Sequence, residues 1–126
     1  MKGKPESDGE IYYHDSVVRF LVMCSLAWTV LGMSAGVYVA AELIWPEIDF
    51  GQPWLSFGRL RPLHTNAVIF GFGVSALMAT GFYSVQRTCH IPLPMPRLAW
   101  FTAILWQVGV LAGVLSLLAG MNTGKE

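Results

Sequence analysis

Arg59-Leu60-Arg61-Pro62-Leu63-His64-Thr65-Asn66, followed by Ala67-Val68-Ile69-Phe70-Gly71-Phe72-Gly73, sets two arginines and a histidine at the mouth of a long apolar run. No other stretch of the chain brings so much polar chemistry against so much hydrocarbon. Ionisable side chains at a membrane-spanning helix are costly and mark functional positions by default. The rest of the sequence is read outward from this junction.

Of the 126 residues, 54% are hydrophobic and only 13% are charged. Soluble domains carry about a quarter charged residues, so the composition is that of a membrane protein. The formal net charge is zero and no basic tract is interleaved with aromatics, which argues against a nucleic-acid partner. Met1 to Ser16 is polar with four acidic residues and lacks a signal-peptide pattern, so the first span itself is expected to direct insertion. The two cysteines, Cys24 and Cys89, form no CxxC and no CxxCH, and a disulfide between them is not expected.

Residues 1–16 read as a polar N-terminal tail and residues 17–126 as an all-α membrane segment of three transmembrane helices. A span needs about 20 apolar residues. Three stretches qualify, at about 17–44, 62–85 and 97–119. Asp15 or Ser16 is expected to cap the first. Pro62 is expected to sit in the first turn of the second, and Gly120 to stop the third. Glu42, near the far end of the first span, reads more readily as an interfacial carboxylate at headgroup level than as a proton or cation site. Trp45, Phe50, Trp54 and Phe57 suit the aromatic belt. By loop basicity, Lys2, Lys4, Arg19, Arg87 and Arg97 face the cytoplasm, with the N-terminus inside and Glu126 outside. Arg59 and Arg61 on the outer side run against that rule, which points to something anionic holding them.

A neutral imidazole is a good ligand for haem iron when its second nitrogen is hydrogen-bonded. Arg61, three residues before His64, shares its helical face and can pair with haem carboxylates through a charge-assisted fork. Ala67, Val68, Gly71 and Ser75 continue that face as a small-residue wall against which a macrocycle could lie. Spacing alone is served equally well by a histidine and two arginines at headgroup level. His14 and His90 fall on the opposite side of a roughly 30 Å apolar core and read as surface residues. A bis-histidine haem therefore needs a second ligand from outside this chain, and a multi-histidine copper site cannot be built from it.

The runs Tyr13-His14-Asp15-Ser16-Val17-Val18-Arg19, Pro53 through Phe70 and Val85-Gln86-Arg87-Thr88-Cys89 resemble the N-terminal part of the catalytic subunit I of cbb3-type cytochrome c oxidases, within the haem–copper oxidases. The resemblance covers about Tyr13 to Glu126. It implies the N-terminal portion of a roughly twelve-helix bundle in a bacterial inner membrane, with His64 as an axial ligand of low-spin haem b and Arg61 near its propionates. It implies that high-spin haem b, copper and the second low-spin ligand belong to later spans. It also implies a calcium ion near Gly124-Lys125-Glu126. The expected partners are the rest of subunit I, cytochrome c-bearing oxidase subunits and membrane lipid. The implied activity is electron transfer from cytochrome c toward an oxygen-reducing haem–copper centre that pumps protons, for which this segment alone is incomplete. The competing expectations are a nitric-oxide reductase large subunit and a free-standing three-span b-type cytochrome or interaction subunit.

Overall fold

The computed structural model describes residues 12–121. Three helices in this range are long and apolar enough to cross a membrane, and among the described residues there is no strand. The expected all-α, three-span architecture is what the chain adopts. The calcium expectation at Gly124 to Glu126, and the tail up to residue 11, lie outside the described residues.

Helix α1 spans Asp15–Ile44. It has no charge between Arg19 and Glu42 and no proline, so nothing interrupts it. Its buried positions Val18, Leu21, Ser25, Gly32, Val39 and Glu42 recur at helical spacing and face its neighbours. The cap is His14 rather than Asp15 or Ser16. Its backbone N–H donates to Gln86 Oε1 at 2.7 Å, and Gln86 is fully buried. Gln86 thus anchors the N-cap residue's own N–H, and no side chain caps the first turn. Asp15 instead occupies the first turn, where a negative charge suits the helix dipole, and pairs with Arg87 at 3.0 Å. Arg87 also lies over the Tyr13 ring at 4.0 Å.

A short 3-10 turn, Pro46–Asp49, follows and is tied back to α1 by the Tyr38 hydroxyl donating to Ile48 O at 2.8 Å. Helix α2 is continuous over Phe57–Cys89, longer at both ends than the 62–85 expected. Pro62 lies inside it, not at its first position. The early start has a physical cause: Glu42 Oε1, fifteen residues upstream, accepts a hydrogen bond from Phe57 N–H at 2.8 Å. An orphan donor of the first turn is thereby satisfied from another helix. Within α2, residues Ala67–Val74 form a π-helical stretch, in which backbone bonds run from i to i+5. The Trp106 indole donates to Phe70 O inside this stretch at 3.1 Å.

Helix α3 spans Pro96–Leu118, with proline at its first position. It stops at Gly120, whose φ is +78°. Gly120 N–H donates to Leu117 O at 3.1 Å and Met121 N–H to Ser116 O at 3.1 Å, the paired bonds of a Schellman ending.

The three helices pack tightly at the end that carries the α1 N-terminus, where Val17, Val18, Leu21, Ala79, Ala99 and Ala103 form a core. Phe20 and Trp100 close it with ring centroids 5.2 Å apart. At mid-depth the Trp28 indole donates to Gln107 Oε1 at 2.9 Å, and Gln107 Nε2 donates to Ser75 Oγ at 2.8 Å. One polar chain thereby links all three spans. Most other large apolar side chains are exposed, as in helices that face hydrocarbon or further helices. Cys24 and Cys89 are free thiols.

Candidate functional site

The α1–α2 contact that holds His64 is written in glycines. A Cβ at Gly36 would lie 2.6 Å from His64 Cε1 and 2.8 Å from Nδ1. A Cβ at Gly32 would lie 2.9 Å from Val68 Cγ2, and one at Gly71 would lie 2.6 Å from the Trp28 ring. The two spans approach where side chains are missing, as small residues in membrane helices permit. The imidazole fills the space beside Gly36.

His64 Nδ1 stands 2.6 Å from Gly32 O. A carbonyl oxygen only accepts, so Nδ1 carries a proton, and in the neutral tautomer the lone pair is then at Nε2. A fixed Nδ1–H···O=C bond is the usual support of a metal-ligating histidine, since it sets both tautomer and ring orientation. No hydrogen bond to Nε2 is found among the described residues. Among those residues no group of three or more His, Cys, Asp or Glu is assembled for a metal ion. A single side-chain donor fits an iron whose remaining ligands come mostly from a porphyrin, and not a bare ion that needs a protein cage.

Arg61 is exposed. It lines an open cleft of about 600 Å³ with Phe57, Gly58, Pro62, Thr65, Asn66 and Phe70. His64 is not part of that lining. The two residues therefore sit on neighbouring turns of α2, one turned into the α1 contact and the other free at the surface.

Three expectations about this end of the bundle need correction. Ala67, Gly71 and Ser75 are buried, and Val68 reaches Gly32. The small-residue wall is thus covered by Trp28 and Gly32 of α1 and by Gln107 of α3; its smallness serves helix–helix approach and leaves no open face for a macrocycle. Arg59 does not wait for an anion. Its Nη1 donates to Leu118 O at 3.2 Å, and its guanidinium covers Gly120, where a Cβ would lie 2.6 Å from Nη2. It occupies the negative end of the α3 dipole. Glu42, expected at headgroup level, is only 7% exposed and caps α2. Its burial follows from the close α1–α2 approach, which carries the carboxylate inward between the helices. No local sequence signal marks that cap or the π-helical stretch.

The other histidines lie far away. His14 is tied to Gln86, and His90 follows Cys89 at the end of α2. Gln86 is 22 residues beyond His64, about 30 Å at the rise of an α-helix.

Fold and site together define an integral membrane helix bundle in which an imidazole is held between two spans by Gly32 O. Residues 16–126 match the family model described as cytochrome C and quinol oxidase polypeptide I, and the chain belongs to that family. It is 52% identical over 114 residues to the cbb3-type cytochrome c oxidase subunit CcoN1 of Stutzerimonas stutzeri, covering 90% of this chain and 24% of that protein. It is 42% identical over 126 residues to cytochrome c oxidase subunit 1 of Rhodobacter capsulatus, covering 98% of this chain and 23% of that protein. With the bacteroid cytochrome c oxidase subunit 1 homolog of Bradyrhizobium diazoefficiens it shares 38% identity over 121 residues, 96% of this chain and 22% of the other. The chain spans about a quarter of the length of these relatives. The resemblance to subunit I of cbb3-type oxidases read from the sequence is borne out.

Proposed function

We propose that this chain forms the N-terminal three spans of the oxygen-reducing subunit of a cbb3-type terminal oxidase, with His64 Nε2 as an axial ligand of a low-spin haem b. The observation that carries this is the 2.6 Å contact between His64 Nδ1 and Gly32 O in the cradle left by Gly36. It leaves the ligating nitrogen free and the ring fixed. A bound haem supplies reversible one-electron transfer between ferric and ferrous iron. The chain's own part is to hold the ring in one orientation, with Nδ1 toward Gly32 O. Arg61, exposed three residues before His64, is the residue to pair with the haem propionates.

The second axial ligand, the high-spin haem b and copper are assigned to spans beyond this segment, and cytochrome c-bearing subunits to the electron supply. Proton pumping belongs to that whole enzyme. The N-terminal side is placed in the cytoplasm. Arg19, Arg87 and Arg97 cluster at that end, while Arg59 at the other end is already engaged by α3.

The test is His64→Ala in the complete membrane complex. Loss of the low-spin haem b signal from the reduced-minus-oxidised spectrum, with the complex still assembled, is expected. An unaltered low-spin spectrum would refute the ligand assignment.

A further inference from the structure

Glu42 is the group that the haem-ligand reading leaves unexplained. It is 7% exposed, near the end of a membrane span. Its Oε1 accepts from Phe57 N–H at 2.8 Å. Its Oε2 is buried and has no hydrogen-bond partner among the described residues. A buried carboxylate oxygen without a donor is costly, and such a group in a folded protein calls for a specific explanation. No cation supplies one among the described residues, where Arg87–Asp15 is the one ion pair. Among the described residues, the charged and titratable groups on the elements packed around this end have other positions or partners. Tyr38, one turn back on α1, donates its hydroxyl to Ile48 O. Glu47 and Asp49 in the following turn carry the same sign as Glu42. On α2, Arg59 is bound to Leu118 O and Arg61 is exposed.

Glu42 lies on the helix against which the His64 ring rests and is hydrogen-bonded to the helix that carries His64. Gly36, against which the imidazole rests, lies six residues before Glu42 on the same helix, about 9 Å along its axis. Phe57, which Glu42 caps, begins the helix that carries His64 seven residues later.

We propose that Glu42 Oε2 is a proton-binding site linked to the electron held at the haem on His64. The linkage rests on that haem assignment. One electron from the reductant converts ferric to ferrous haem, and one proton from the water phase at this end of the bundle adds to Oε2, turning carboxylate into carboxylic acid. Reoxidation returns both. In a low-dielectric region the added negative charge at the iron and the added proton at Glu42 offset each other. The bond from Phe57 N–H to Oε1 keeps the carboxyl group in place through both states.

The experiment is a spectroscopically monitored redox titration of the purified complex at a series of pH values, with infrared redox-difference spectra in H₂O and D₂O. In the unmodified complex the low-spin haem potential falls as pH rises, and a carboxylic-acid C=O band that shifts in D₂O accompanies reduction. Glu42→Gln keeps an acceptor for Phe57 N–H and keeps the haem. The C=O band is lost in this variant and the pH-dependent shift of the potential is abolished or sharply reduced. Glu42→Asp retains a pH-dependent potential. A Glu42→Gln complex with an unchanged slope and an unchanged band overturns the inference while leaving the haem ligand intact. A potential displaced by one fixed amount at every pH overturns it as well, because that is the mark of a permanently ionised, ion-paired carboxylate. If the glutamine variant does not assemble, the unmodified complex decides: absence of any deuterium-sensitive carboxylic-acid band on reduction refutes the site. Failure of the underlying haem assignment is read separately, from a low-spin spectrum that survives His64→Ala.

Discussion

Replacing Gly36 by alanine tests the cradle directly. The new Cβ would stand 2.6 Å from His64 Cε1, where ordinary contact begins at 3.4 Å, so the ring must retreat by about 0.8 Å. It cannot retreat freely, because Nδ1 is held to Gly32 O at 2.6 Å on the same helix. Moving off α1 stretches that bond beyond hydrogen-bond range. Interhelical hydrogen bonds in membranes are worth about 0.6 kcal/mol on average, and forcing a methyl into a packed contact costs about 1–3 kcal/mol. Alanine's better helix propensity returns about 1 kcal/mol. The net loss of stability is thus modest, about 1–2 kcal/mol. The loss of ligand geometry is not modest, since an imidazole about 0.8 Å out of place and free to rotate is a poorer axial ligand. The expected result is a complex that assembles with a reduced or spectrally altered low-spin haem and a shifted midpoint potential. Gly109→Ala is the control, because no atom lies within 4 Å of a Cβ built there. If Gly36→Ala and Gly109→Ala give the same haem content, spectrum and potential, the cradle argument is wrong.

Arg59→Leu removes the donor to Leu118 O and the positive charge at the α3 terminus. It is expected to lower thermal stability by about 1 kcal/mol, read as a lower unfolding midpoint in detergent with the haem spectrum unchanged. Gln107→Leu strips partners from both the Trp28 indole and Ser75. Two membrane hydrogen bonds at about 0.6 kcal/mol each give a loss of about 1 kcal/mol, and adding Ser75→Ala should not double it, as a thermal double-mutant cycle would show. Arg61→Ala is expected to shift the low-spin haem potential more than it lowers haem content; a redox titration without a shift counts against the propionate role.

Much of the architecture was legible in the sequence because hydrophobic length is a local property. The three spans and Gly120 at the stop of α3 were readable from composition and from the conformational freedom of glycine. The start of α2 was not, because its cap is a carboxylate fifteen residues away on another helix. The destination of Arg59 was hidden for the same reason: Leu118 O meets it only once α3 has folded back. The small residues at 67, 71 and 75 were legible as a face that something could approach closely. Periodicity, however, does not say whether a helix or a ligand makes that approach, and Trp28 and Gln107 do so here. His64 was legible as the polar exception in an apolar run, but its carbonyl partner at Gly32 was not.

The π-helical stretch at Ala67–Val74 divides one continuous span into two separately indexed halves. Upstream, the helix is phased so that His64 meets Gly32; downstream, it is phased so that Ser75 meets Gln107 and Gln86 meets the His14 amide. Bonds from i to i+5 accommodate one extra residue, so deleting a single residue within the stretch would let it tighten to an α-helix with both halves kept in phase. The widened turns thus work as a coupling between two shafts, absorbing a change of length between the half that carries His64 and the half that carries Gln86.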